Sequence, residues 1–177
     1  MNKIRYVSVF FKLFFQVTFI TLIAAQVIGW VYAPMQGGLF NVIPPAYQPI
    51  LMNHFTLNTK IAGFFVSSLP LMIKLMIVYT LIKLFSLYQR HEFFSMKNVQ
   101  LIRNTGYALL LLEIITPLSD FLLGFVITSG NPPGYRIATM TFGNTNVGVI
   151  LMALLIILNS WIMSEGHQLK EEQQLII

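Results

Sequence analysis

Four long apolar stretches, parted by short polar or turn-forming segments, set the pattern of this chain. They cover about residues 7–33, 61–87, 105–127 and 147–165. Each approaches or exceeds the roughly 20 residues that a helix needs to cross the hydrocarbon core of a bilayer. The pattern predicts an all-α protein, an integral membrane four-helix bundle that forms a single membrane domain over residues 1–177. Its outer loops are residues 34–60 and 128–146, its inner loop is 88–104 and its tail is 166–177.

The first stretch has features of a secretory signal. Lys3 and Arg5 precede it, and Val31-Tyr32-Ala33 resembles a cleavage site. Its apolar region is much longer than the roughly 7–15 residues of such a signal. Lys12, Gln16 and Gln26 interrupt it and Pro34 follows it, so it reads as a retained span. Orientation follows from the cations. Lys3, Arg5 and Lys12 lie at the N-terminal end, and Arg90, Lys97 and Arg103 lie between the second and third spans, with Lys83 at the membrane edge. The other two loops carry only Lys60 and Arg136. The positive-inside rule places the N-terminus, the C-terminus and the 88–104 loop in the cytoplasm. Trp30, Tyr32 and Trp161 fall near span ends, where amphipathic aromatic rings settle at the interface.

Composition agrees. Hydrophobic residues make up 56% of the chain and charged residues 10%, against about 25% charged in soluble domains. The mean hydropathy is +0.72. So few polar side chains cannot cover a globule in water, and the lipid bilayer is the first partner implied. The absence of cysteine excludes disulfides, thiolate metal sites, a cysteine nucleophile and S-palmitoylation. The net charge of +5 lies beside the apolar spans and not in one stripe, which argues against direct nucleic-acid binding.

The loops carry their own signals. Residues 34–60 combine Gly37-Gly38, Pro44-Pro45 and Pro49 with many apolar side chains; a loop packed on the outer helix ends fits this better than a lid over a cavity. Asn131-Pro132-Pro133-Gly134 has proline then glycine at the centre of a type II turn. Ser95 is a suitable N-cap, with Phe94 and Val99 at the positions of a hydrophobic staple, so the third helix should begin near Met96. The acidic tail residues Glu165, Glu171 and Glu172 oppose the basic inner loop in charge. Leu169, Leu175 and Ile176 offer apolar contacts, so the tail is expected to dock on that loop or on a partner.

Charges inside the spans are costly, at about 2.5–3.5 kcal/mol each near a helix centre on an insertion scale. Lys74 and Glu113 fall at similar depths in antiparallel neighbouring spans, which predicts an intramembrane ion pair. Glu113 and Asp120 are seven residues apart on one helix face with Pro117 between them. A proline has no N–H to donate, so Pro117 frees the carbonyl of Glu113 and Pro70 frees that of Val66. Lys74, Glu113, Pro117 and Asp120 thus form a candidate intramembrane polar site. It reads first as structural glue that specifies helix register, and otherwise as a transport or proton site or a contact for a partner helix. Asn159 and Ser160 read as interhelical hydrogen-bonding residues.

No catalytic or cofactor motif stands out. The phosphate-binding glycine loop, His-Glu-x-x-His and Gly-x-Ser-x-Gly are all absent, and His54, His91 and His167 are scattered. His167 and Glu171 alone do not make a metal site. The expectation is a protein without catalytic residues, metal or cofactor.

Two segments carry a family resemblance. In the first, Phe85, Tyr88, Phe94, Asn98, Arg103 and Gly106 recur at spacings that resemble a motif of the DUF2975 family, four-span membrane proteins of unknown function. The second, Glu165-Gly166, Leu169, Glu171-Glu172-Gln173 and Leu175 to Ile177, is similar to that family's closing motif. His91 stands where the family usually has glycine and Ile176 where it usually has threonine. The resemblance implies a multi-pass protein of the bacterial cytoplasmic (inner) membrane, with no established activity. Members often accompany small helix-turn-helix regulators, which implies a partner in regulation.

The combined expectation is a non-enzymatic interaction or regulatory module. Its cytoplasmic surface would include Tyr88, Phe94, Asn98, Arg103, Glu165, Gly166, Leu169, Glu171 and Glu172, and its partner would be a regulator, another membrane protein or a second copy. The alternative is a small oligomeric transporter or proton-coupled carrier using Glu113 and Asp120. The ion-pair expectation has its own test. Lys74→Met and Glu113→Gln should be non-additive in a double-mutant cycle of thermal stability in detergent, with additive effects refuting the pair.

Overall fold

The computed structural model describes residues 2–33, 43, 47, 55–90, 92, 95–136 and 146–175. They form four helices and, among the described residues, no strand: α1 (Asn2–Val31), α2 (Leu57–Gln89), α3 (Met96–Thr128) and α4 (Val147–Leu175). All four are long and apolar enough to cross a membrane.

Helix ends follow local chemistry more than the edges of the apolar stretches. Thr56 caps α2 by accepting from the Thr59 amide through Oγ1 at 3.3 Å. Ser95 caps α3, its Oγ accepting from the Asn98 amide at 3.4 Å. Asn146 caps α4, its Oδ1 accepting from the Gly148 amide at 3.0 Å. α3 therefore starts at Met96 as its capping sequence predicts, while Phe94, the other half of the expected staple, lies outside the described residues. α4 runs ten residues past position 165, where its apolar stretch ends. Gly166 costs a helix about 1 kcal/mol relative to alanine, too little to end one.

The chain divides into two compact units. The first contains residues 1–19, 73–111 and 146–177, and so takes in all of α4. The second contains residues 20–72 and 112–145. In the first unit Gly106 of α3 lies against α4. A Cβ there would stand 2.6 Å from Cγ1 of Ile157 and 3.1 Å from the Ala153 carbonyl. Rings of α1 and α2 also meet in this unit, Phe85 stacking on Phe11 at 5.1 Å and lying 5.7 Å from Phe15. In the second unit Trp30, Ala33, Ile43, Tyr47, Leu123 and Ile127 form a buried cluster, with Phe55, Phe64 and Val66 against it. Ile43, Tyr47 and Phe55 come from the 34–60 loop, so these residues pack as the apolar loop composition predicts.

Elsewhere large apolar side chains point outward. Along α1 alone Phe10, Leu13, Phe14, Val17 and Ile20 are exposed. Such surface calls for an apolar surrounding, as the lipid of a bilayer supplies.

Small residues let large ones seat. The Trp30 indole lies directly on Gly63, and the Tyr47 ring on Gly124. Gly63→Ala should displace Trp30 and lower stability by about 1–3 kcal/mol, the usual cost of overpacking. Gly130→Ala, with open space around it, should leave stability unchanged. Thermal unfolding in detergent checks both.

Candidate functional site

Pro70 and Pro117, expected to free a carbonyl each, both sit inside continuous helices. Pro70 has no N–H for the carbonyl of Val66. Ser119 supplies the missing donor, its Oγ donating to Val66 O at 3.0 Å. Ser119 is only 2% exposed, so this bond joins α2 and α3 within the second unit, away from solvent. Beside it lies a second polar knot. Gln26 Nε2 donates to Ser67 Oγ at 2.6 Å, and Trp30 Nε1 donates to the same oxygen at 2.8 Å. Ser67 Oγ donates onward to the Phe64 carbonyl at 3.2 Å, where Ser68 Oγ also donates, at 2.6 Å. The hydroxyl of Ser67 is thus saturated, and α1 is tied to α2 by side chains that sequence patterning treats only as impurities in a span.

Of the predicted intramembrane residues, Pro117 is buried, Glu113 and Asp120 are half-buried, and Lys74 is exposed. Lys74 falls in the first unit, whereas Glu113, Pro117 and Asp120 fall in the second. The three α3 residues therefore stand together, and the Lys74–Glu113 pair stays an expectation from depth along the helices.

The residues predicted for the opposite site, the interaction surface, divide by exposure. Glu165, Gly166 and Leu169 are exposed on α4, and Tyr88 is half-buried at the end of α2. Asn98 is completely buried, and its Nδ2 donates to the Glu92 carbonyl. It holds the α2–α3 connection in shape and does not present its side chain. Arg103 is half-buried, its Nε donating at 3.3 Å to Oγ of Ser160, a fully buried residue of α4. Ser160 thus makes the interhelical bond expected of it. Phe94 and the side chains of Glu171 and Glu172 lie outside the described residues.

Lys60, in the first turn of α2, and Arg136, beyond the end of α3, have structural work. Lys60 Nζ donates to the Val31 carbonyl at 3.0 Å, at the end of α1, where helix carbonyls lack intrahelical partners. Arg136 Nε donates to the Asn131 carbonyl at 3.1 Å. Near it the Tyr135 amide donates to Pro132 O at 3.1 Å and Gly134 has φ of 97°, as the predicted type II turn requires.

Several of these contacts escape sequence reading. Ser119 is one hydroxyl among apolar residues, and Ser67 is half of an adjacent serine pair. The advance signal for Ser119 is Pro70, four residues past the otherwise unserved Val66 carbonyl, and Ser67 has no such signal.

A family model described as "Protein of unknown function (DUF2975)" matches residues 7–177. No curated protein and no solved structure matches the chain.

The Ser119 bond can be isolated. Ser119→Ala should destabilise by about 1–3 kcal/mol, because a buried carbonyl loses its donor. In a Pro70→Ala background the helix regains its own N–H for Val66 O, and the same Ser119→Ala change should cost much less. A double-mutant cycle of thermal stability measures the difference.

Proposed function

The chain belongs to the DUF2975 family, whose function is unknown, and we propose that it acts as a non-enzymatic interaction or regulatory module in a membrane. Its working surface is built by the end of α2, the start of α3 and the end of α4. What carries the reading is that both family-like segments, residues 84–106 and 165–177, fall within the first compact unit. Buried Asn98 and the Arg103–Ser160 bond brace that unit, while Glu165, Gly166 and Leu169 stay exposed on α4. Bracing beneath and exposure above suit a surface that docks a partner without rearranging.

In this reading the surface and both termini are cytoplasmic, in a bacterial inner membrane. Arg5, Arg90 and Lys97 are exposed, as charges facing the cytoplasmic side would be. Lys60 and Arg136, the cations of the other loops, are engaged with backbone carbonyls. Their presence there has a local reason and does not weigh against the orientation.

A second reading is a small oligomeric carrier that uses Glu113 and Asp120. Its support is that both carboxylates are half-buried on α3 around buried Pro117. Glu113→Gln would then abolish a pH-driven flux in proteoliposomes, and unchanged flux would remove this reading.

The leading proposal is tested by affinity capture of the tagged full chain from native membranes in mild detergent, beside a chain ending at Gly166. The full chain should bring down a stoichiometric partner. The shortened chain should insert normally and lose that partner; equal recovery with both would overturn the proposal.

A further inference from the structure

A cavity of about 350 Å³ opens between α2 and α3 in the first unit. Two matched helical stripes line it. From α2 come Lys83, Ser86 and Leu87, with Arg90 in the turn just past its end; from α3 come Lys97, Gln100, Leu101 and Asn104. Both sets have the i, i+3, i+4, i+7 spacing that places four side chains on one helix face. Each stripe has a leucine in third place and polar or charged residues around it, so the cavity has cationic and amide groups beside an apolar wall.

Its charge is one-sided. Among the described residues that line it, three are cations and none is a carboxylate. Glu92, in the connection between α2 and α3, is exposed and does not line it. Three like charges around a small volume repel one another, and an anion between them removes that repulsion. Lys83 lines the cavity while its Nζ stands 4.4 Å from the centre of the Tyr79 ring, one helical turn away. Ser86 Oγ already donates to the Ile82 carbonyl at 2.9 Å, which leaves Lys83, Arg90, Lys97 and the amides of Gln100 and Asn104 as donors.

We propose that this cavity binds a phosphate group. A tetrahedral oxyanion presents acceptor oxygens in several directions, suiting donors carried on both sides of the cavity, and a flat carboxylate suits fewer of them. The Arg90 guanidinium suits two phosphate oxygens at once, and the lysines act as point charges. The volume lies at the lower end of the roughly 300–1,000 Å³ range of small-molecule sites, enough for a phosphate with a short substituent. Leu87 and Leu101 supply an apolar wall for a glyceryl or acyl portion. The phosphate can come from an anionic lipid headgroup or from a free phosphate. This site does not rest on the interaction proposal, because its described lining includes none of the exposed α4 residues Glu165, Gly166 and Leu169 on which that proposal depends.

The test uses the purified full chain in a neutral detergent. Native mass spectrometry compares bound phosphatidylglycerol with phosphatidylcholine, and calorimetry measures inorganic phosphate. Phosphatidylglycerol should be retained about tenfold or more over phosphatidylcholine. Arg90→Gln with Lys97→Gln should lower that retention by a further order of magnitude, each cation near anionic lipid being worth roughly fivefold. The charge-keeping pair Arg90→Lys with Lys97→Arg, and Lys12→Gln outside the cavity, should retain it; they separate loss of charge from loss of fold. Lipid preference without phosphate binding identifies the headgroup as the source. Phosphate binding lost in the same double variant, without lipid preference, identifies the free ion. Equal retention of both lipids with no phosphate binding overturns the proposal, as does a glutamine double variant that binds like the native chain.

Discussion

A backbone carbonyl or amide in hydrocarbon has no water to turn to, and this constraint governs much of what the structure displays. An unserved group costs several kcal/mol there. Pro70 creates such a carbonyl at Val66, and Ser119 reaches from α3 to serve it. The carbonyl of Val31, at the end of α1, is served by Lys60. Hydroxyls inside the helices also bond backward to their own chain: Ser8 to Ile4, Thr80 to Met76, Thr105 to Leu101, Thr116 to Leu112 and Thr128 to Gly124. The carbonyls they reach already accept an amide of the same helix, so these bonds satisfy the hydroxyls' own donors in place of water.

Close packing is the other requirement. Between helices in lipid the hydrophobic effect supplies no drive, and association depends on contact and hydrogen bonds. Glycines at 63, 106 and 124 permit a ring or a neighbouring helix to come near. The same places carry directional bonds. Trp30 both rests on Gly63 and donates to Ser67, and the Gly106 contact with α4 is accompanied by the Arg103–Ser160 bond. Contact and hydrogen bond together define which face meets which, something a uniformly apolar surface cannot do.

The family-like residues acquire physical meaning from this frame. Gly106 permits the approach of α4, Asn98 ties the α2–α3 connection, and Arg103 reaches Ser160. These residues build the first unit. Glu165, Gly166 and Leu169 remain outside the packing, and a requirement on them has to come from something the unit meets. This contrast separates the residues that shape the proposed surface from those that would be read by a partner.

The number and type of the helices were legible from the chain because bilayer thickness imposes a minimum apolar length, and each of the stretches satisfies it. The start of α3 and the turn at Gly134 were legible because Ser95 and the Pro133-Gly134 pair act on their own backbone, through neighbours fixed by covalent sequence. The extent of α4 was not, because hydropathy marks where lipid ends, whereas a helix continues until something stops it. Part of the candidate site was legible in the same way: Pro117, Glu113 and Asp120 stand out as costly residues in a span. Ser119 does not, nor do Ser67 and the paired stripes lining the basic cavity. Their roles depend on which residue of another helix lies opposite, a matter of rotation and register between segments far apart in sequence. Local chemistry and length determined the spans, caps and turn, and tertiary packing alone decided which carbonyl each hydroxyl serves and which cations share one cavity.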